Sequence, residues 1–167
     1  MSQYFGKYRG KVTNNTDPEQ RGRIQVSVPA IFGDIPLNWA LPASPYAGMQ
    51  NCFFAIPPLQ ANVWVEFEGG NPESPIWSGC FWGIGEVPAL ALGTPAAVPH
   101  FLLQTTGQST FLLSDAPGPT GGIMLKTTTG AAILINDTGI TIQNGKGATI
   151  QMTGNSVMIN GVALVIT

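Results

Sequence analysis

Charge is what this sequence has least of. Asp, Glu, Lys and Arg make up 10% of its residues, against about a quarter in an ordinary soluble domain. With 44% hydrophobic residues and a mean hydropathy of +0.17, a lone chain would be poorly soluble. Much of its surface is therefore expected to be covered by other subunits. A net charge of −2 and a pI near 5.2 argue against an electrostatic partner such as nucleic acid or an anionic membrane. Histidine is scarce too: His100 stands alone, with no partner for a nucleophile triad. Two cysteines, Cys52 and Cys80, lie outside any CxxC pattern, so they make neither a disulfide framework nor a metal site. In NCFFAI and SGCFWG they read as buried free thiols of a protein made in a reducing cytoplasm. No apolar run reaches the roughly 18 residues of a membrane span. The start, MSQYFGKYRGKV, has no apolar h-region, so no signal peptide is expected.

Glycine and proline are plentiful, at 21 and 14 residues, and helical periodicity is nearly absent, which points to an all-β chain with many turns. The clearest order lies in residues 121–167. That stretch has no Pro, Trp, Tyr or Phe, and its charges are Lys126, Asp137 and Lys146. Short β-branched runs are closed by Gly122, Gly130, Gly139, Gly147 and Asn155, spaced 8, 9, 8 and 8 residues apart. A fixed period implies stacked equivalent units. Within the units apolar residues alternate, placing Ile123, Leu125, Ile133, Ile135, Ile140, Ile142, Ile150, Met152, Val157 and Ile159 on one inward face. A single strand has nothing to bury that face against. The economical solution is a trimeric intertwined β-helical needle, each chain supplying one wall. A monomeric β-sandwich with evenly spaced hairpins is the alternative.

Residues 1–83 alternate more loosely. Ile24, Val26 and Val28 share one face, as do Val63, Val65 and Phe67. Further strands are expected at residues 52–56 and 76–82. Short strands with these Gly/Pro turns fit an oligonucleotide/oligosaccharide-binding (OB) barrel. Residues 84–99 form an apolar linker whose one charge is Glu86. Residues 100–120 are transition strands, and residues 121–167 the spike.

Chemistry finds little to work with. Asp115 and Asp137 are separated in sequence and read as turn residues. The motif Asp17-Pro18-Glu19-Gln20-Arg21-Gly22-Arg23 has the look of a ligand loop, but its simpler role is a turn in which Arg21 and Arg23 pair with Asp17, Glu19 or a neighbouring chain. The aromatics Trp39, Phe53, Phe54, Trp64, Phe67, Trp77, Phe81 and Trp82 lack the basic groove of a single-strand binder and are expected in the barrel core or a subunit interface. No catalytic residue, metal or cofactor is expected.

A family resemblance rests on GKVTNNTDPEQRGRIQVSVP, Trp39, PYAG at 45–48, Pro57, VWVEFEGGNPESPIWSG at 63–79 and the repeat. Together they resemble the phage baseplate assembly protein V and spike family, related to the type VI secretion valine-glycine repeat spike proteins. The resemblance implies an OB barrel preceding a trimeric β-helical needle on the axis of a contractile tail or injection machine. No lysozyme domain or fused effector is expected, and no His-x-His iron apex. It also implies a separate tail-hub protein at the OB end. The blunt end GVALVIT, with Val162, Leu164, Ile166 and Thr167, resembles spike ends capped by a tip protein with proline-alanine-alanine-arginine (PAAR) repeats.

The expected function is a non-enzymatic central spike of a phage tail baseplate or contractile injection system. It would be made in the cytoplasm, carried in the virion or particle, and touch the target membrane transiently while puncturing the envelope. The alternatives are an OB glycan- or nucleic-acid-binding module on a β-helical trimerisation stalk, and a β-helical glycan-degrading enzyme.

Overall fold

The computed structural model describes residues 2–93, 97–161 and 163–166. The chain divides into two compact units, Met1–Glu86 and Val87–Thr167, and is β-rich, with helix among the described residues only in single turns.

The first unit contains β1 (Tyr8–Asn14), β2 (Gln25–Ser27), β3 (Leu41–Pro42), β4 (Ala47–Gly48), β5 (Asn51–Cys52), β6 (Asn62–Phe67) and β7 (Pro75–Cys80). Five of them form a sheet in the order β2-β1-β6-β7-β3. An antiparallel bridge between Ile24 and Ala40, beside β2 and β3, draws the two ends of that sheet together. It carries reciprocal hydrogen bonds of 3.2 and 2.8 Å. This closure encloses Val12, Ile24, Val26, Val28, Ala40, Val63 and Val65, all fully buried, with Phe67 beside them. The alternating faces read from sequence in residues 24–28 and 63–67 are the inward faces here. At one end Tyr4, Tyr8, Phe32 and Phe67 pack in edge-to-face and tilted pairs, with centroids 5.1–6.5 Å apart.

Residues 52–56 are not the strand expected. Only Cys52 is paired, across the small β4–β5 hairpin. Phe53 N still donates to the Tyr46 carbonyl oxygen at 2.7 Å, but the side chains of Phe53 and Phe54 are exposed, and Pro57 and Pro58 end the run. A further difference lies in residues 29–32, a single helical turn begun by Pro29.

The second unit opens with a helical turn at Ala89–Leu92 and continues into one antiparallel meander. Its strands are β8 (His100–Gln104), β9 (Thr110–Ser114), β10 (Gly122–Lys126), β11 (Ala131–Asn136), β12 (Gly139–Asn144), β13 (Thr149–Thr153), β14 (Ser156–Ile159) and β15 (Leu164–Ile166). Each pairs only with its sequence neighbours, giving an eight-stranded sheet in strict chain order. At ~4.8 Å per strand the sheet is about 34 Å from first strand to last. Its turns are fastened by asparagine: the Asn144 carboxamide oxygen accepts from Lys146 N at 2.8 Å and Ala148 N at 3.0 Å. Asn136 serves the Asp137–Thr138 turn in the same way, accepting from Thr138 N at 3.0 Å.

Candidate functional site

The register of the meander lines up its apolar residues without a slip. One row runs Phe101, Leu113, Ile123, Ile135, Ile140, Met152, Val157, Ile166. The other runs Leu103, Phe111, Leu125, Ile133, Ile142, Ile150, Ile159, Leu164. Because side chains alternate across a strand, both rows stand on the same face. The ten residues expected to point inward are thus brought together on one surface. Within the protomer much of it is open: Ile135 is 39% exposed and Ile166 57%. An apolar face of this extent marks an interaction surface. Leu164 and Ile166 complete the same rows; Val162 and Thr167 lie outside the described residues.

Four members of the rows, Phe101, Leu103, Phe111 and Leu113, were not singled out from sequence. Their signal was present as alternation but masked, because the intervening Leu102 and Leu112 are also apolar. On the opposite face Leu102, Leu112, Met124 and Leu134 are consecutive partners, followed by Thr141 and Gln151. Met158 follows Gln151 in the next strand, and the neighbouring row of that face carries Lys126 beside Thr110 and Ala132. That face is mixed, whereas the first stays apolar throughout.

In the barrel unit the loop carrying Asp17, Pro18, Glu19, Arg21, Gly22 and Arg23 is a closed network. Pro18 and Glu19 make the bend. The Asp17 carboxylate accepts backbone N–H groups from Glu19 at 3.0 Å, Arg21 at 2.8 Å and Arg23 at 3.2 Å. It also accepts Arg23 Nη2 at 2.7 Å and Nε at 3.1 Å. The side chains of Asp17 and Arg23 are 5% and 13% exposed, and the Arg23 guanidinium lies over the Trp39 ring at 5.6 Å. Glu19 reaches both Arg21 and Arg23, each at 3.1 Å. Gly22 has φ +77°, its carbonyl accepts the Trp77 indole N–H at 3.1 Å, and a Cβ there would come within 3.2 Å of the Phe54 ring. The Asp17 and Arg23 groups satisfy one another, so this part of the loop buttresses the barrel.

The Arg23 guanidinium, with the backbone donors, holds the Asp17 carboxyl far below the usual carboxylate range, and stability from such a group is present above the unfolded pKa and lost as pH falls through the folded one. Asp17→Asn is accordingly expected to lower the melting temperature by several degrees at neutral pH. The gap to the parent should narrow only on acidification below the ordinary aspartate range, about pH 4. Thermal melts across pH read this directly; a gap unchanged down to the acid limit of folding would contradict it.

The remaining candidates stand apart. Asp137 accepts Gly118 N at 2.8 Å, a turn-to-turn brace. His100 is exposed, its Nδ1 3.1 Å from the Val98 carbonyl oxygen. Cys52 and Cys80 are exposed in the protomer rather than buried: β5 and the end of β7 lie outside the barrel core, although partial burial still pushes the Cys80 thiol up. Of the aromatics expected in the barrel core or an interface, Phe67 is buried in the core and Trp77 packs partly buried against it. Trp64 and Phe81 stack at 4.7 Å beneath Arg9 on the outer surface, and Trp82 is exposed. Among the described residues no group of three or more His, Cys, Asp or Glu is placed to hold a metal ion, and no helix is long and apolar enough to cross a membrane.

Comparison with known families matches both units. Residues 8–82 match the type VI secretion system/phage-baseplate injector OB domain. Residues 100–165 match the phage baseplate V C-terminal trimerisation domain. No curated protein matches the chain. With an injector OB barrel followed by a baseplate V trimerisation domain, the chain belongs to the phage baseplate V family of injection-spike proteins and is a structural component of the baseplate.

Proposed function

We propose that this chain is the central spike that leads a contractile tube through a target envelope. The observation that carries the reading is the pair of unbroken apolar rows across all eight strands. Three such sheets, one from each copy, bury these rows against one another as a dry, narrow axis. Ile123, Leu125, Ile133, Ile135, Ile140, Ile142, Ile150, Met152, Val157 and Ile159 form its core. Every wall is a ladder of hydrogen bonds within one chain, and a packed apolar interior resists bending. The opposite face is mixed, with Thr141 and Gln151 standing between Leu134 and Met158. The mechanism is mechanical: sheath contraction supplies force, and the thin prism concentrates it.

In this reading the OB barrels meet a separate tail-hub protein. The last strand, with Leu164 and Ile166 exposed at its end, receives a PAAR-type tip. No catalytic residue or cofactor takes part, and no nucleic acid is bound. Within the barrel four of the five cations meet a carboxylate or an aromatic ring: Lys7 with Glu66 at 2.8 Å, Arg21 and Arg23 with Glu19 and Asp17, and Arg9 against Trp64 and Phe81, while Lys11 reaches the Gln60 carbonyl oxygen at 3.4 Å. An antibody to residues 156–166 is expected to label the distal axial point of contracted particles in electron micrographs. Label on the sheath, or on a side fibre, would reject the spike role.

A further inference from the structure

Residues 35–65 contain no Asp, Glu, Lys, Arg or His. Within this stretch the β4–β5 hairpin is an isolated two-stranded sheet with two residues per strand, and such a hairpin is marginal in water without support. The Ser44 hydroxyl, 3.1 Å from the carbonyl oxygens of both Tyr46 and Phe53, ties its base. Its turn is Met49-Gln50, and Met49 is 93% exposed. Tyr46 beside it is also largely exposed. At the base of the hairpin lies a groove of about 580 Å³, whose walls include Pro42, Phe53, Phe54, Ile56 and Trp77, with the two thiols, Cys52 and Cys80, opening into it. The one charged residue on its rim, Arg21, is paired with Glu19. An occupant that suits these walls is itself apolar and uncharged.

We infer that the groove of one OB domain receives the Met49 hairpin tip of a neighbouring copy of this chain, forming a ring of three barrels. Two arguments select a second copy. The trimerisation domain of the same chain tethers the other copies, so that their barrels meet at an effective concentration on the order of millimolar. A cyclic trimer also needs a head-to-tail contact, in which two different surfaces of each copy complement one another. The barrel unit carries such a pair, an apolar knob at Met49 and an apolar hole that Met49 does not line. Methionine, unbranched and polarizable, suits an aromatic-walled groove. The inference rests on trimeric assembly, which light scattering measures separately.

The natural cysteines report on the groove. In the purified full-length chain, first shown to be trimeric by light scattering, Cys52 and Cys80 are expected to react with a maleimide at least about ten-fold more slowly than in the Met49→Asp trimer, since thiol attack requires access. Equal rates would overturn the inference. So would thiols that are open in the trimer and become protected only when a hub protein is added, an outcome that makes the hub the occupant. Met49→Cys supplies an independent reading. Mild oxidation is expected to give covalent dimers and trimers on a non-reducing gel, through Cys52 or Cys80 of a neighbouring copy, and the ladder should vanish when both are changed to Ser. No ladder, or one that persists without the groove thiols, defeats the proposal. A monomer in the initial scattering experiment would instead reject the trimeric spike reading itself.

Discussion

Ile135→Asp is expected to abolish the trimer. Ile135 sits mid-row between Ile123 and Ile140, on the face proposed to meet the other two copies. Threefold symmetry places three introduced carboxylates around one axis. Burying even one polar group without a hydrogen-bond partner costs about 2–7 kcal/mol, and like charges held together oppose ionisation further. The variant should elute with the 17.6 kDa mass of the single chain, whereas the parent is expected at three times that mass. The control lies close by. Thr141 is in the neighbouring strand β12 on the opposite face, partnered by Leu134 and Gln151. Thr141→Asp should leave the trimer intact and shift stability by only about 0.5 kcal/mol. If Ile135→Asp stays trimeric, or if Thr141→Asp is the more damaging, the apolar rows do not face the axis.

Gly139→Ala carries the second large effect, and it acts on the wall itself rather than on the assembly. Gly139 follows the Asp137–Thr138 turn and pairs with Asn136. Its φ is +136°, and a Cβ there would run into the carbonyl of Met152 on the adjacent strand. The backbone conformation disfavours any other residue, and the next strand leaves no room for one. The combined cost is expected at about 3 kcal/mol or more per chain, read as an earlier urea midpoint with an unchanged m-value. Gly147→Ala separates the two causes: its φ is +103° with nothing within 4 Å of the added carbon, so only the conformational penalty of about 1–2 kcal/mol applies. Equal losses in the two variants would show that close strand approach contributes nothing.

The sheet was readable because its period is local. Alternation at two residues needs only neighbouring positions to show itself, and a Gly or Asn every eight or nine residues marks where each strand ends. The mutual pairing in the Asp17 loop was also visible, since opposite charges two to six residues apart in a turn find one another. The rest was hidden by neighbouring apolar residues or depends on contacts distant in sequence. The alternation in strands β8 and β9 was masked by Leu102 and Leu112, apolar on the other face. Phe53 and Phe54 look like strand interior by composition, yet they stand beside a two-residue hairpin strand with their side chains exposed. The two cysteines sit among hydrophobic neighbours in sequence and are nevertheless outside the core.

By itself, then, the sequence determined the strand content, the turn positions and the side-chain face of strands β10 to β15, because steric alternation and glycine's permissive backbone act over a few residues. It also carried the motifs of the injector barrel. The tertiary structure decided how the barrel closes, through the Ile24–Ala40 bridge and the Trp77 indole bonded to Gly22 across 55 positions. It further decided that every strand of the spike unit pairs with its immediate neighbours, so that two apolar rows run in register over the whole sheet. Both outcomes depend on which distant backbone groups satisfy one another. A strand's own residues fix its face but leave its partner open.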